Sequence, residues 1–313
     1  MTAYIARRLV MAVPVLIGVS ILVFLITRLT PGDPVRELVG PDASQEEVME
    51  AREKLGLDKP VMTQYAYFVA DAVRGDLGTS LRTRQPVTTE LLDRFPVTLQ
   101  LTAFTVILAL LMGIPLGVLS AVHRGGAIDK LATLIAVFFV SMPLFWIAIM
   151  ATLVLSIKLG WLPPAGADGP IWTPSGFRSY LLPAITLAPG PAALLMRVTR
   201  SSMLEVLNRE FVTVARAKGL GEKSVIVRHA LRNALLPVVT YVGLLFGALL
   251  GGAVVTETIF ALPGVGRLVV TAINQRDYPI IQGAVLMLAL LFTVINLAVD
   301  VLYAALDPRI SYE

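Results

Sequence analysis

Apolar residues in this chain gather in long unbroken runs, and six of these approach or exceed the length of a bilayer's hydrocarbon core. The runs extend from Leu9 to Thr27, Thr98 to Val122, Leu131 to Ile157, Tyr180 to Met196, Leu235 to Thr256 and Ile280 to Leu306. Their continuity predicts helices: a backbone in hydrocarbon must satisfy its own hydrogen bonds, and a membrane β-barrel would alternate apolar with polar positions. The expected fold is an all-α membrane protein of six transmembrane helices. A small helical extracytoplasmic domain should follow the first helix, and short cytoplasmic helices should lie between the fourth and fifth. The corresponding boundaries are an N-terminal anchor over 1–29, an extracytoplasmic loop domain over 30–97, and a five-helix core over 98–313 that includes a cytoplasmic loop at 197–234.

The polar segments orient this arrangement. Arg7 and Arg8 precede the first run and no small-residue cleavage site follows it, so it reads as a retained anchor with its basic flank in the cytoplasm. Six crossings return the C-terminus to the same side. His123 to Lys130 and Arg197 to Asn233 are then cytoplasmic. The second stretch sets eight basic residues, from Arg197 to Arg232, against Glu205, Glu210 and Glu222. In the outer loop from Arg28 to Pro96 acids outnumber bases, and long loops cross largely regardless of charge. There Ser44 with Glu47 predicts a capping box, Gly56 a helix end, and Pro60 the start of a second helix reaching Gly75. Tyr65, Phe68, Val69 and Ala72 share one face of that helix and suit docking onto the membrane domain, although a solvated loop fits the same residues.

Several spans contain irregularities. Pro183, Pro189, Gly190 and Pro191 interrupt the fourth run, and Ser141-Met142-Pro143 interrupts the third. Broken backbone at membrane depth is tolerated where it is buried in protein or lines a cavity. Ser141, Pro143, Pro189 and Gly190 are therefore pathway or gate candidates, with a purely structural kink as the competing reading. Gly243, Gly247 and Gly251 form a small-residue stripe for helix packing, read as contact within one subunit ahead of a dimer interface. Asn296 is a further pathway candidate. Asp300, one turn on, is assigned a helix-end or interhelical hydrogen-bond role.

Composition narrows the chemistry. Mean hydropathy is +0.77 over 313 residues, and with no Cys there are no disulfides, thiolate metal sites or Cys nucleophiles. The two histidines, His123 and His229, are both cytoplasmic, and no cluster has metal spacing, so neither a metal nor a catalytic residue is assigned. The +4 net charge says little alone; the apolar runs imply a lipid bilayer as partner, the placement of the basic residues orients the chain in it, and no nucleic acid is assigned. "GLGEKS", Gly219 to Ser224, lacks both the upstream Gly spacing and the preceding strand of a phosphate loop. Energy for uphill work would have to come from a partner or from an ion.

The basic stretch "ARAKGLGEKSVIVRHALRNALLP" predicts a helix from Glu210 to Lys218 with Phe211, Val214 and Ala215 on one face, a break at Gly219-Leu220-Gly221, and a second helix from Glu222 to Arg232 running into the fifth span. Gly219 should stop the first helix at positive φ. Two short helices about a glycine elbow form a lever, and the same basic residues suit a helix resting on anionic lipid.

Extended to "ARAKGLGEKSVIVRHALRNALLPVVT", this stretch resembles the cytoplasmic Glu-Ala-Ala loop of ABC importer permeases of the dipeptide, oligopeptide and nickel transport group. "RRLVMAVPVLIGVSILVFLITRLTPGDPV", "FPVTLQLT" and "ETIFALPGVGRLVVTAINQRDYPIIQG" are similar to the same group. Thr213, Val214 and Ala215 stand where the name-giving residues would fall, and the distance from Gly219 to Pro237 is longer than in the generic pattern; both features match the peptide-type subgroup. The resemblance implies a coupling helix seated on a cytoplasmic ATPase subunit, with Phe211, Ala215, Ala217, Lys218, Gly219 and Leu220 as ATPase contacts. It implies a transport subunit with no enzyme activity or cofactor of its own, in the bacterial cytoplasmic (inner) membrane, with a second homologous permease subunit, two ABC ATPase subunits that use ATP and Mg, and an extracytoplasmic solute-binding protein. The implied cargo is a di- or oligopeptide, with nickel chelates and glutathione as alternatives inside the group. An ion-coupled secondary transporter, the reading from another class, would need paired intramembrane charges and an inverted repeat.

Overall fold

The computed structural model describes residues 2–29, 44–54, 56 and 58–306. The expectations for the start of the outer loop and for the C-terminal tail lie outside them. Helices are α1 (Thr2–Leu29), α2 (Gln45–Lys54), α3 (Val61–Val73), α4 (Val87–Val122), α5 (Ala127–Ser141), α6 (Leu144–Lys158), α7 (Pro174–Leu187), α8 (Pro189–Leu207), α9 (Glu210–Ala217), α10 (Glu222–Gly252), α11 (Val254–Ile259), α12 (Val265–Gln275) and α13 (Tyr278–Leu306). The described residues contain no strand, only an isolated antiparallel bridge between Thr79 and Pro86.

Among the described residues three helices, α4, α10 and α13, are long and apolar enough to cross a membrane singly. α5 with α6 and α7 with α8 qualify as bent pairs, at 100° and 58°, and α1 carries an apolar stretch over Val10–Ile26. Two of the helices start more than ten residues ahead of their apolar runs. α4 begins at Val87 because its first turns are amphipathic, burying Val87 and Leu91 against Val265, Leu268 and Ile280. It therefore crosses position 97 unbroken. α10 begins at Glu222 and passes through an i→i+5 segment at Val225–Leu231 before entering its apolar part.

The bends have local causes. Pro143 pushes Met142 into extended backbone (φ −80°, ψ 132°), and α6 restarts behind it. At the second break, Pro189 and Pro191 each lack the N–H that would continue α7, and Pro189 takes the first position of α8. Pro183 corrects the sequence reading: it lies inside α7 without ending it. One missing donor leaves the neighbouring ladder intact, and Pro96, Pro115 and Pro237 are absorbed within α4 and α10 in the same way.

The centre of the bundle is α4 against α8, with α10 beside both. Contact is close because methyl groups on Gly113 and Gly117 would lie 2.7 Å from Ala192 O and 2.6 Å from Thr199 Cβ. α13 packs on α10 through part of the expected glycine stripe: Gly243 faces Val299, and Gly247 faces the Phe292 ring. Gly251 has open space and does not take part. α1 lies on α13, where Arg8 and Asp300 pair at 3.0 Å, an interhelical role for the acid. α3 docks on α1 through the expected face, with Tyr65 and Phe68 around Phe24 and a 2.8 Å hydrogen bond between Ser20 and Tyr65. In the outer segment, Ser44 and Glu47 bond reciprocally at 2.8 and 3.2 Å, as a capping box requires.

Glu257 pins α11 and α12 to α4. It is fully buried, accepts from the Thr98 hydroxyl at 2.6 Å and from Arg267 N–H at 3.1 Å, and is also bonded by Gly266 N–H. Thr98 Oγ1 in turn accepts from Val265 N–H at 2.9 Å. A methyl on Gly264 would fall 2.3 Å from Glu257 Cδ, so the carboxylate and the loop fill the same space. Burial pushes the Glu257 carboxyl above its ordinary value, and its donors pull the other way.

Two predictions follow from this packing. Gly243→Val should lower stability by roughly 1–3 kcal/mol through overpacking, whereas Gly251→Val should be neutral; thermal unfolding in detergent compares them, and equal shifts would contradict the α10–α13 contact. Glu257→Ala strands three donors and should cost roughly 3 kcal/mol, with Glu257→Gln costing about half because its carbonyl still accepts. The same measurement would show equal losses if the carboxylate were not an acceptor hub.

Candidate functional site

The glycine elbow is a folded element wedged between two long helices. α8 runs into Asn208 and Arg209, and α9 follows at Glu210. Val212 and Ala215 turn inward and pack with Leu207 and Val225, giving the elbow a small core of its own. Gly219 ends α9 at φ +77°, a conformation that costs an L residue roughly 1 kcal/mol. Its N–H donates to Arg216 O at 2.9 Å, and Leu220 N–H reaches Ala215 O at 3.3 Å. Arg216 then closes the elbow by a bidentate pair with Glu222, at 2.6 and 3.2 Å.

This packing divides the expected contact residues. Phe211, Ala217, Lys218, Gly219 and Leu220 are exposed, Phe211 by 39% and Leu220 by 41%. Ala215 is a correction: at 7% exposure it is spent on the internal core and offers no surface to a partner. The face expected to unite Phe211, Val214 and Ala215 is split for the same reason, since Val214 is 51% exposed while Val212 takes the inward place. Val225, on the other side of the break, is fully buried. An apolar strip of Phe211, Val214 and Leu220 therefore stands at the polar end of the molecule beside Lys218, next to a concavity lined by Gly221, Lys223, Val227 and Arg228.

The elbow is tied to the bundle from both sides. Met203 and Val206 of α8 pack with Ala230 and Ala234 of α10 and Ala121 of α4, and Ser202 Oγ donates to Ala234 O at 2.8 Å. One turn earlier on α8, Arg200 grips Asp129 at the start of α5 with two bonds of 2.7 and 2.8 Å. Asp129 also accepts from Ser120 of α4 and from Gly125 N–H at 2.9 Å. Three helices are thus joined at one carboxylate, which is shielded by residues around it. The sequence reading counted Arg200 only among the basic residues of the cytoplasmic stretch and assigned no role to Asp129 or Glu257. The available signal was an acid placed at the edge of an apolar run, beside glycines whose N–H groups can donate.

The pathway candidates divide into two groups. The break at Ser141 and Pro143 and the break at Pro189 and Gly190 border one cluster, in which Leu144 packs with Leu187 and Ala192. Ser141 and Pro143 are exposed, Pro189 is buried, and a methyl on Gly190 would meet nothing within 4 Å. Asn296 stands apart on α13, which packs on α10, α1, α12 and α4, and its Oδ1 is buried without a hydrogen-bond partner among the described residues. Among the described residues no group of His, Asp and Glu could hold a metal ion.

Comparison with known proteins gives this architecture a family. The binding-protein-dependent transport system inner membrane component family matches residues 113–312, and its N-terminal counterpart matches residues 1–102. The chain is 44% identical to the dipeptide transport system permease protein DppB of Alkalihalophilus pseudofirmus, over the full length of both. It is also 44% identical to the glutathione transport system permease protein GsiC of Escherichia coli O6:H1, again over both full lengths. Its fold is similar to a chain of the methionine ABC transporter MetNI in inward-facing form, with a TM-score of 0.59 at 18% identity, covering 70% of this chain and 96% of that one. The chain belongs to the inner-membrane component family of binding-protein-dependent transport systems, as an ABC importer permease, a transport component and not an enzyme.

Proposed function

We propose that this chain is one permease half of a peptide importer. Full-length identity to a dipeptide permease and to a glutathione permease supports a cargo of di- or oligopeptides, since both named solutes carry peptide bonds. A sister permease, two ATPase subunits holding ATP and Mg, and an extracytoplasmic solute-binding protein complete the assembly. Six crossings place both termini in the cytoplasm, with the segment ahead of α4 outside.

The observation that carries this reading is the elbow. An apolar strip on a water-facing end is a docking surface by its chemistry, and Lys218 adds the charge that a groove with acidic edges would select. The ATPase seats on Phe211, Val214, Ala217, Lys218 and Leu220, while Gly219 sets the turn and Ala215 braces it from within. Closure of the two ATPases displaces α9, and the joins to α8 and α10 carry the displacement into the spans. The breaks at Ser141 and Pro143 and at Pro189 and Gly190 give those spans a place to bend along the solute path. No charged residue is needed there, because a path that must release its cargo binds it weakly.

Gly219→Pro removes an N–H that bonds to Arg216 O and forbids positive φ. ATP hydrolysis by the reconstituted complex should then no longer rise with solute-loaded binding protein, while the chain still inserts in the membrane. Undiminished stimulation would overturn the elbow's role. Asp129→Asn should act differently, because the ATPase site on the elbow is untouched. Hydrolysis should continue, and the solute moved per ATP should fall severalfold in proteoliposomes. An unchanged ratio would separate the clasp from coupling.

A further inference from the structure

At the far end of α4 from the elbow lies a cleft of about 570 Å³, formed by the loop 159–173 and the start of α7. The two ends are well separated. Leu101 belongs to the cluster beneath this loop and Ala121 to the cluster beside the elbow, about 30 Å apart at 1.5 Å of helix rise per residue. In the topology proposed above, the cleft therefore opens outside the cell.

The loop is held at several points. Gly166 N–H donates to Phe260 O at 2.8 Å, Asp168 N–H to Ser179 Oγ at 3.2 Å, and Ile171 N–H to Gln100 Oε1 at 2.7 Å. Leu162, Ala167 and Ile171 pack onto the buried cluster of Tyr180, Phe260 and Leu262. The cleft walls are thus preorganised.

Their chemistry is unusual for this molecule. Asp168 and Arg178, of opposite sign, both line the cleft together with Ser175 and Ser179. Arg178 spends one donor on Trp161 O, at 2.9 Å, which holds its guanidinium at the wall and leaves most of its N–H groups unspent. The two charges do not pair with each other, and the Asp168 carboxylate has no bond within the described residues. Trp161, 61% exposed, adds an apolar wall. One anion, one cation and one aromatic face around a fixed space match the three features of a short free peptide: its ammonium, its carboxylate and a side chain.

We propose that this cleft is a low-affinity subsite for zwitterionic peptides, with Asp168 receiving the N-terminal ammonium, Arg178 the C-terminal carboxylate, and Trp161 a side chain. The inference rests on the peptide-import reading. Both charges are solvent-exposed, so each contact is weak, which suits a station that takes a peptide from the binding protein and passes it on.

Saturation-transfer NMR on the complete permease and ATPase complex in nanodiscs, without binding protein, tests it with alanyl-phenylalanine, its N-acetyl form and its C-terminal amide. Blocking either end should weaken the signal about threefold to fivefold, the size of an exposed ion pair. Asp168→Asn should remove the difference between free and acetylated peptide. Arg178→Gln should remove the difference between acid and amide, and unchanged basal ATP hydrolysis in both variants reports an intact fold. Equal signals for all three peptides, or variants that keep the wild-type preferences, overturn the subsite. Weakened capture of the binding protein by both variants, with peptide preference intact, overturns it in favour of a docking surface. Uptake of the same dipeptide by wild-type proteoliposomes with binding protein separates the two levels: uptake with an indifferent cleft sinks only the subsite, and no uptake sinks the peptide reading together with it.

Discussion

Hydrocarbon offers no partner to an unpaired N–H, a bare carbonyl or a charge, and the architecture follows from where the protein supplies such partners itself. Asp129 shows this most plainly. Its carboxylate lies at the edge of an apolar helix and survives there by collecting a bidentate Arg200, the Ser120 hydroxyl and Gly125 N–H. Satisfying that one group brings the ends of α4, α5 and α8 together. Glu257 repeats the device at the other end with Thr98, Gly266 and Arg267, joining α4 to α11 and α12. Polar satisfaction thus sets the positions of helices whose apolar faces alone would slide.

The elbow depends on that frame. An eight-residue helix such as α9 has too few internal hydrogen bonds to stand alone in water. It persists because Val212 and Ala215 are buried against Val225 and because Arg216 bridges the break to Glu222. The same inward turn that stabilises α9 decides which residues remain for a partner. Burying Ala215 presents Phe211 and Val214 outward, so stability and docking surface are two faces of one short helix.

Much of this was legible in the sequence. Long apolar runs located the long helices α4, α10 and α13 and the two bent pairs, Gly219 announced the elbow by its need for positive φ, and the Ser44 with Glu47 pair announced its cap. Local signals act within a few residues, which is why they could be read. The early start of α4 at Val87 was hidden because its first turns are half polar and draw their burial from α12 and α13, far along the chain. Ala215 was misassigned because a helix of two turns has several plausible faces, and only Val225, across the elbow, chooses between them. Pro183 looked equivalent to Pro189, yet one lost donor is absorbed where two in close succession are not. Asp129, Glu257 and their partners lie 71 and 159 residues from their farthest bonds, beyond any spacing rule.

Where the bundle can bend is as restricted as where it cannot. α4 and α8 touch at Gly113 and Gly117 so closely that a methyl group on either would meet α8 itself, and the Arg200 clasp adds α5 to the same body. Force entering α8 from α9 therefore moves three helices as one, because close-packed contacts transmit displacement instead of absorbing it. Compliance has to appear at the other end of α8. There Pro189 and Pro191 leave the backbone without two helical hydrogen bonds, and Gly190 faces open space. The break in the fourth span is the place in this chain where a rigid lever meets a joint, and under the proposed function that joint is where a push from the cytoplasm becomes a change in access along the path.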